Sequence, residues 1–451
     1  MATRRTMTRI RTLVALGVLL LSGAASATPD TSGASYVRRW NSAITEVMIE
    51  DGFSPAAQAR FFSYLHIAAY EASRHGSPGW LSLAGTVRDL KPVPAPESGC
   101  AYDWRVAAMA AYRKVASLSL FRIYITDSLY DVAMAELAAA GVSAEVRSCS
   151  ERYGVRVGEH VLAWMKPDGY VKIQASPKYV IPSYAGAWEP TPPDFKEPAD
   201  PFWGPTMRPL TLDSARQFPA MPEVAFSDAA DSRFHRLARE VYDVTRSLTK
   251  EQEAIAMFWN DTPVRTHHYG HLMYASRQIS PTGHWMSIAE SASKTAGADM
   301  ARTLAVFVST SVSIYDVLIS CWGEKFRSNV MRPVTYINRY IDSTWQPLIQ
   351  TPPFPEHTSG HSSISGAAST VLTHWFGTRA FTDSTEERFG WGVRSFASFE
   401  GAAREAAMSR LYGGIHYSHG NAAGLDNGQR IGAWVVRRLQ LREEPRTADG
   451  E

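Results

Sequence analysis

The run Thr358-Ser359-Gly360-His361 stands directly before Ile364, Ala367, Ala368, Val371, Leu372 and Trp375. Those apolar residues recur at the i, i+3, i+4, i+7 spacing of a helix that buries one face. A Ser and a Gly at a helix start leave backbone N–H groups at the positive end of the helix dipole, which suits an anion. Gly360 lets the backbone come close to such a ligand. The plainer reading of the same residues is a Ser N-cap beside an incidental histidine, so their meaning rests on what surrounds them.

Helical spacing dominates outward from this point. Tyr36 to His75, Trp104 to Ala140 and Ser143 to Met165 read as helices before it, as do Ser232 to Leu248, Lys250 to Trp259 and Asp299 to Trp322. Another runs from about Asn421 to Leu441, with Ile431, Val435 and Leu439 in register. Alternating strand patterns are scarce. The expected fold is therefore all-α, two packed helical bundles. Prolines 190, 192, 193, 198, 201 and 205 break any regular element between about Ser176 and Pro222. They suggest a helical region over 34–200, a core bundle carrying the site over 201–441, and a flexible tail at 442–451.

Residues 1–27 carry Arg4, Arg5, Arg9 and Arg11, an apolar run from Leu13 to Leu21 and Ala25-Ser26-Ala27, the layout of an export signal. The expected location is secreted or periplasmic. Removal of those four arginines turns the formal charge of +2 into −2, so the basic balance argues for no nucleic-acid partner. No later stretch reads as long and apolar enough for the roughly 20 residues of a spanning helix, so no stable membrane insertion is expected. Three cysteines are too few for a disulfide scaffold. In an oxidising compartment Cys100 and Cys149 could pair, while Cys321 reads as a small apolar group in a helix.

Two further clusters flank the opening run. Lys325-Phe-Arg-Ser-Asn-Val-Met-Arg332-Pro333 sets two cations about two helical turns apart, just beyond an apolar helix. Ser409-Arg410-Leu-Tyr-Gly413-Gly414-Ile-His416 has paired glycines that should end one helix and leave His416 near the start of the next. Arg332 and Arg410 each offer a planar fork of donors matched to an oxyanion edge. A solvated helix end or a chance Arg-His pair explains either cluster alone. The three together, in this order, point to a tetrahedral oxyanion held beside a histidine.

As a set they resemble the signature shared by vanadium-dependent haloperoxidases and type 2 phosphatidic acid phosphatases. Trp40-Asn41, His66-Ile-Ala-Ala-Tyr-Glu-Ala and Leu248 to Trp259 are similar to the longer, all-α haloperoxidase branch. The resemblance implies vanadate as cofactor, with Lys325, Arg332, Ser359, Gly360 and Arg410 on its oxygens. It implies His416 as the ligand of vanadium and His361 as the acid/base histidine opposite. Lys325 would polarise peroxide towards attack by halide. The partners it implies are hydrogen peroxide, a halide and a small organic acceptor, and it is compatible with a homo-oligomer. Trp322 and Phe354 match an aromatic pair of chloroperoxidase-like members, so bromide, and by this pair chloride, are the expected halides. Packing of the pocket wall accounts for both aromatics equally well.

The chain departs from the pattern at Thr358, where the family usually has Pro, and at Gly420, where it often has an Asp able to orient the histidine. A backbone carbonyl, Asn421 or Asp426 is the expected substitute. Asp261 is a candidate to brace one of the site arginines. The nearest rival is an acid phosphatase of the same superfamily acting through a phosphohistidine at His416, against which Gly420 argues. A divalent-metal site built on the i, i+4 pairs His357/His361 and His267/His271, with His268, His416 and His419 as further ligands, is a second. A non-catalytic oxyanion binder is a third.

Overall fold

A computed structural model describes residues 32–442. The export signal over 1–27 and all of the 442–451 tail except Arg442 lie outside the described residues. The helices are α1 (Ala34–Asp51), α2 (Pro55–Ser73), α3 (Trp104–Ala116), α4 (Ile123–Ala139), α5 (Ala144–Met165), α6 (Tyr170–Gln174), α7 (Trp203–Thr206) and α8 (Arg233–Arg246). They continue with α9 (Lys250–Phe258), α10 (Pro281–Thr295), α11 (Met300–Ser328), α12 (Pro333–Tyr340), α13 (Gly360–Phe376), α14 (Phe399–Tyr412) and α15 (Ser418–Leu439). Two antiparallel hairpins complete it: β1 (Val264–Tyr269) with β2 (Leu272–Arg277), and β3 (Phe381–Asp383) with β4 (Arg394–Phe396). The fold is all-α in character, as the periodicity predicts.

Where the sequence suggested one long helical stretch from Tyr36 to His75, the chain breaks at Gly52, which takes the left-handed conformation and caps α1. Ser54 then accepts from Ala57 N, and Pro55 fills the first position of α2. A similar interruption between Ala116 and Ile123 separates α3 from α4. Cys100 and Cys149 form a disulfide, and Cys321 is buried in α11 with its thiol 3.6 Å from Thr358 O.

One apolar cluster draws on residues from Val37 to Leu441, so α2 and α3 share a core with α11 and α13. At its centre is α11, 29 residues long and held at its start by the Asp299 side chain. The expectation that no later stretch is apolar enough to span a membrane needs correcting here. Met300–Ser328 is long and apolar enough, and its whole apolar window is buried inside the fold. Helix α13 packs closely on α15 because the facing residues are glycines. A Cβ on Gly428 would lie 2.2 Å from Ser363 O, and one on Gly424 would lie 2.6 Å from Ser359 O. That close approach carries the start of α13 up to the loop before α15, where His416 stands.

Candidate active site

Five elements meet at one place. Lys325 lies in the last turn of α11, which ends at Asn329 in the left-handed conformation (φ 54°). It is on the helix, not beyond it as the sequence suggested. The break at Asn329 then turns the chain so that Arg332 becomes the N-cap of α12, with Pro333 behind it. Ser359 caps α13, accepting from Ser362 N and Ser362 Oγ, and its own N–H donates to Gly420 O at 3.0 Å. Its hydroxyl proton thus stays available. A Cβ at Gly360 would meet only the Trp322 ring, at 3.6 Å, so the space before it belongs to the cleft. Arg410 ends α14, and Gly414 (φ 77°) turns the chain so that Ile415 and His416 come under it.

The loop Phe354-Pro355-Glu356 organises the cations. Arg332 Nε donates to Phe354 O (2.8 Å), and Lys325 Nζ donates to Pro355 O (2.8 Å) and Glu356 O (3.0 Å). The Phe354 ring also lies under Lys325 Nζ at 4.9 Å and the Arg332 guanidinium at 5.0 Å, and tilts against Trp322 at 5.0 Å. Arg332 Nη1 donates to Ile415 O (2.7 Å) and reaches His416 Nε2 (3.0 Å), while Nη2 is buried with no partner. Arg410 is held by the carbonyls of Trp259 and Asn260, and its Nη1 is 3.2 Å from His361 Nε2.

Glu356, which sequence reasoning missed, answers the question raised by Gly420. Its Oε1 is 2.8 Å from His416 Nδ1 and also accepts from Tyr417 N. Any side chain at 420 would collide with this carboxylate, since a Cβ there would lie 2.1 Å from Oε1. The glycine therefore makes room for an acid arriving from position 356. None of the three expected substitutes holds the ring: Asn421 lies by Ser362 and Asp426 pairs with Arg430. The available signal was an acid in the run leading to Ser359. Asp261 supports the Arg410 cation through its charge and not through a hydrogen bond. Its Oδ1 is engaged with His284 and its Oδ2 is 3.8 Å from His361 Nε2, while carbonyl oxygens brace Arg410.

The electrostatics are those of an anion site. Burial, reinforced by Arg332 nearby, pushes Lys325 down to about 7. Burial likewise lowers both Arg332 and Arg410 to about 10. Burial and the surrounding cations hold His416 and His361 well below the ordinary histidine value, so both rings are neutral. Burial raises Glu356 to about 7, against the pull of Lys325 and Arg332. Three buried cations thus face one carboxylate, and an oxyanion relieves their mutual repulsion. With Glu356 accepting the Nδ1 proton of His416, the Nε2 lone pair faces the Arg332 guanidinium, Nη1 at 3.0 Å and the unpartnered Nη2 beside it. The unpartnered Arg332 Nη2, the open cradle at Gly360 and that lone pair fit vanadate. The cleft has a volume of about 260 Å³ and is walled by Trp322, Phe354, His361, Arg410 and His416, with Pro263 and Pro353 among its apolar residues.

The histidines of the divalent-metal alternative fall into separate pairs, His361 with His416 in the cleft and His357 stacked on His419 at 5.7 Å, and not into one ligand set. His357 bonds Met221 O, His419 bonds Pro222 O, and His267 and His268 sit on the β1 hairpin against Ser276 and Asp194. Among the described residues, the grouping able to hold a metal is Asp261, His284 and Glu386.

The family model for the VCPO second helical-bundle domain matches residues 305–443, the segment that carries the three clusters. No curated protein sequence matches the chain. The solved structure of a bacterial vanadium-dependent iodoperoxidase is 39% identical, with a TM-score of 0.84 over 91% of this chain and 97% of that one. A bacterial vanadium-dependent chloroperoxidase superposes in its holo form (18% identity, TM-score 0.63, 86% of this chain and 93% of that one). Its apo form does so equally (16% identity, TM-score 0.64, 86% of this chain and 94% of that one), and at these identities both attest the fold. With near-complete coverage at 39% identity and a cationic pocket built for an oxyanion, the chain belongs to the vanadium-dependent haloperoxidases, enzymes that use vanadate, hydrogen peroxide and a halide.

Proposed function

We propose that His416 Nε2 is the ligand of vanadium, that Lys325, Arg332, Arg410, Ser359 and the Gly360 N–H hold the vanadate oxygens, and that His361 moves the peroxide proton. The observation that carries this reading is the His416 ring itself, braced at Nδ1 by Glu356 and met at Nε2 by Arg332, with burial and the neighbouring cations holding its proton affinity down. When bound, vanadate supplies a Lewis-acid centre on which peroxide becomes electrophilic towards halide. The residues do the rest. Lys325 and the two arginines neutralise developing negative charge without reorganising, and His361, proton-free at Nε2 beside Arg410, accepts a proton as peroxide enters.

For the halide, iodide is the easiest of the series to oxidise, and the relative with 39% identity is an iodoperoxidase. We infer that iodide is turned over fastest, bromide next and chloride least. Phe354 serves as a floor for Lys325 and Arg332, so its match to chloroperoxidase-like chains carries little weight for chloride. The apolar cleft wall favours a small, uncharged organic acceptor. The Cys100–Cys149 disulfide supports an oxidising compartment, periplasmic or secreted.

Initial rates of triiodide formation and of monochlorodimedone bromination and chlorination, with and without added orthovanadate, test this. The expected result is vanadate-dependent oxidation in the order iodide, bromide, chloride. The phosphatase reading gains from Glu356, which would brace a nucleophilic His416 as well as a coordinating one. Hydrolysis of a phosphate ester that orthovanadate merely inhibits, with no halide oxidation, would favour it.

A further inference from the structure

Behind His361 lies a buried group of charges that the mechanism above does not use. His284, on α10, is fully buried and has both ring nitrogens on carboxylates: Nδ1 is 2.9 Å from Asp261 Oδ1 and Nε2 is 2.8 Å from Asp383 Oδ2. Its ring stacks on Trp259 at 4.6 Å, the residue whose carbonyl also anchors Arg410. Asp383, at the end of β3, is fixed in turn by Thr385 N at 2.9 Å. Asp261 adopts the left-handed conformation (φ 44°), uncommon for a residue with a side chain, and it retains this conformation where it can face two histidines. Its second oxygen, Oδ2, is buried without a hydrogen-bond partner, 3.8 Å from His361 Nε2.

An imidazole between two ionised carboxylates donates from both nitrogens and is then a cation. We propose that His284, clasped between Asp261 and Asp383, is a permanently protonated positioning residue that limits how strongly Asp261 draws a proton onto His361. This rests on the acid/base reading of His361. Burial opposes the charge on His284, but Asp261 and Asp383 together outweigh it and hold its proton affinity well above the ordinary value. His284 in turn lowers His361, after burial and Arg410. The charged and titratable groups facing the pair are Asp261, Asp383 and Glu386 on one side and Arg410, Lys325 and His416 on the other. Burial and repulsion from Asp261 raise Glu386 to about 9, so it enters neutral. A divalent ion at Asp261, His284 and Glu386 is the competing occupant; it would take the Nδ1 lone pair, leave Nε2–H on Asp383, and displace the second proton that this proposal places on the ring.

His284→Gln keeps the shape and one hydrogen bond but removes the charge. Asp261 then faces His361 with Arg410 as its remaining nearby cation, and raises the proton affinity of that ring. The acid limb of kcat/KM for peroxide should therefore move up by about one pH unit. Turnover falls about tenfold below the limb and recovers at alkaline pH, with one vanadium still bound per chain. A loss that is the same at every pH, or an unmoved limb, overturns the proposal. Nitrogen-15 histidine NMR of the vanadate-free wild type covers the case in which the variant does not fold. Both His284 ring nitrogens should remain protonated to above about pH 8, and a ring that is neutral at about pH 7, or bound zinc in elemental analysis, overturns it. Wild-type protein with no peroxide-dependent halide oxidation would instead refute the haloperoxidase reading and leave the NMR result to stand alone.

Discussion

His416 and His361 line one cleft, and the protein braces them in opposite ways. Glu356 grips His416 directly at 2.8 Å, with the carboxylate fixed by Tyr417 N and walled in by Gly420. His361 has Arg410 Nη1 at 3.2 Å and a carboxylate, Asp261, no nearer than 3.8 Å, and that carboxylate is already committed to His284. A metal ligand must keep one tautomer and one direction, so a tight, charged hydrogen bond serves it. An acid/base group must gain and lose a proton each cycle, and a carboxylate at full contact would trap the proton. The difference teaches that placing a histidine in a cationic pocket settles little until what stands behind each ring is known.

The most severe way to break this contrast is to remove the rings. His416→Ala should abolish vanadate binding by equilibrium dialysis. His361→Ala should bind vanadate nearly as wild type yet lose about 10²–10⁴ in turnover. Equal loss of binding in both would erase the distinction. Next comes the brace: Glu356→Gln should weaken vanadate about 10–100-fold while the protein stays folded. Gly420→Asp should be destabilising by thermal melting because its side chain meets Glu356, and Glu356→Ala in the same chain should recover most of that loss.

A smaller effect concerns stability. Lys325 sits at about 7 in the folded protein against an ordinary 10.5, so the unfolded chain binds the extra proton between those values. Stability of the vanadate-free protein should therefore rise with pH through that window, and the penalty is full below about pH 7. Lys325→Met should remove that slope and raise the melting temperature at neutral pH by several degrees, at the expense of anion binding. The smallest effect on chemistry belongs far from the cleft. Cys149→Ser should cost about 2–4 kcal/mol of stability in denaturant titrations and leave kcat unchanged.

The helices were legible because their apolar faces repeat at 3.6 residues, and so was the order Lys325, Ser359, Arg410, His416 along the chain. The breaks at Gly52 and Asn329 were not, since they depend on left-handed caps whose residues also occur inside loops. Glu356 escaped because its role exists only once α13 and α15 have packed through Gly424 and Gly428 and brought Gly420 against the loop. Asp261 was noticed for its position after Trp259, and it does favour the Arg410 cation, but its hydrogen bond goes to His284. Sequence does not reveal that carbonyls of Trp259 and Asn260 already satisfy Arg410. His284 carried no local signal, being one polar residue on the buried face of α10.

The central claim is that a carboxylate-braced imidazole of residue 416 meets the metal inside a ring of buried cations. Vanadium K-edge absorption on the reconstituted protein tests it most directly. The account predicts one vanadium per chain with a single nitrogen neighbour among oxygens, a neighbour that vanishes in His416→Ala. An all-oxygen shell in the wild type, or an unchanged spectrum in that variant, would contradict it.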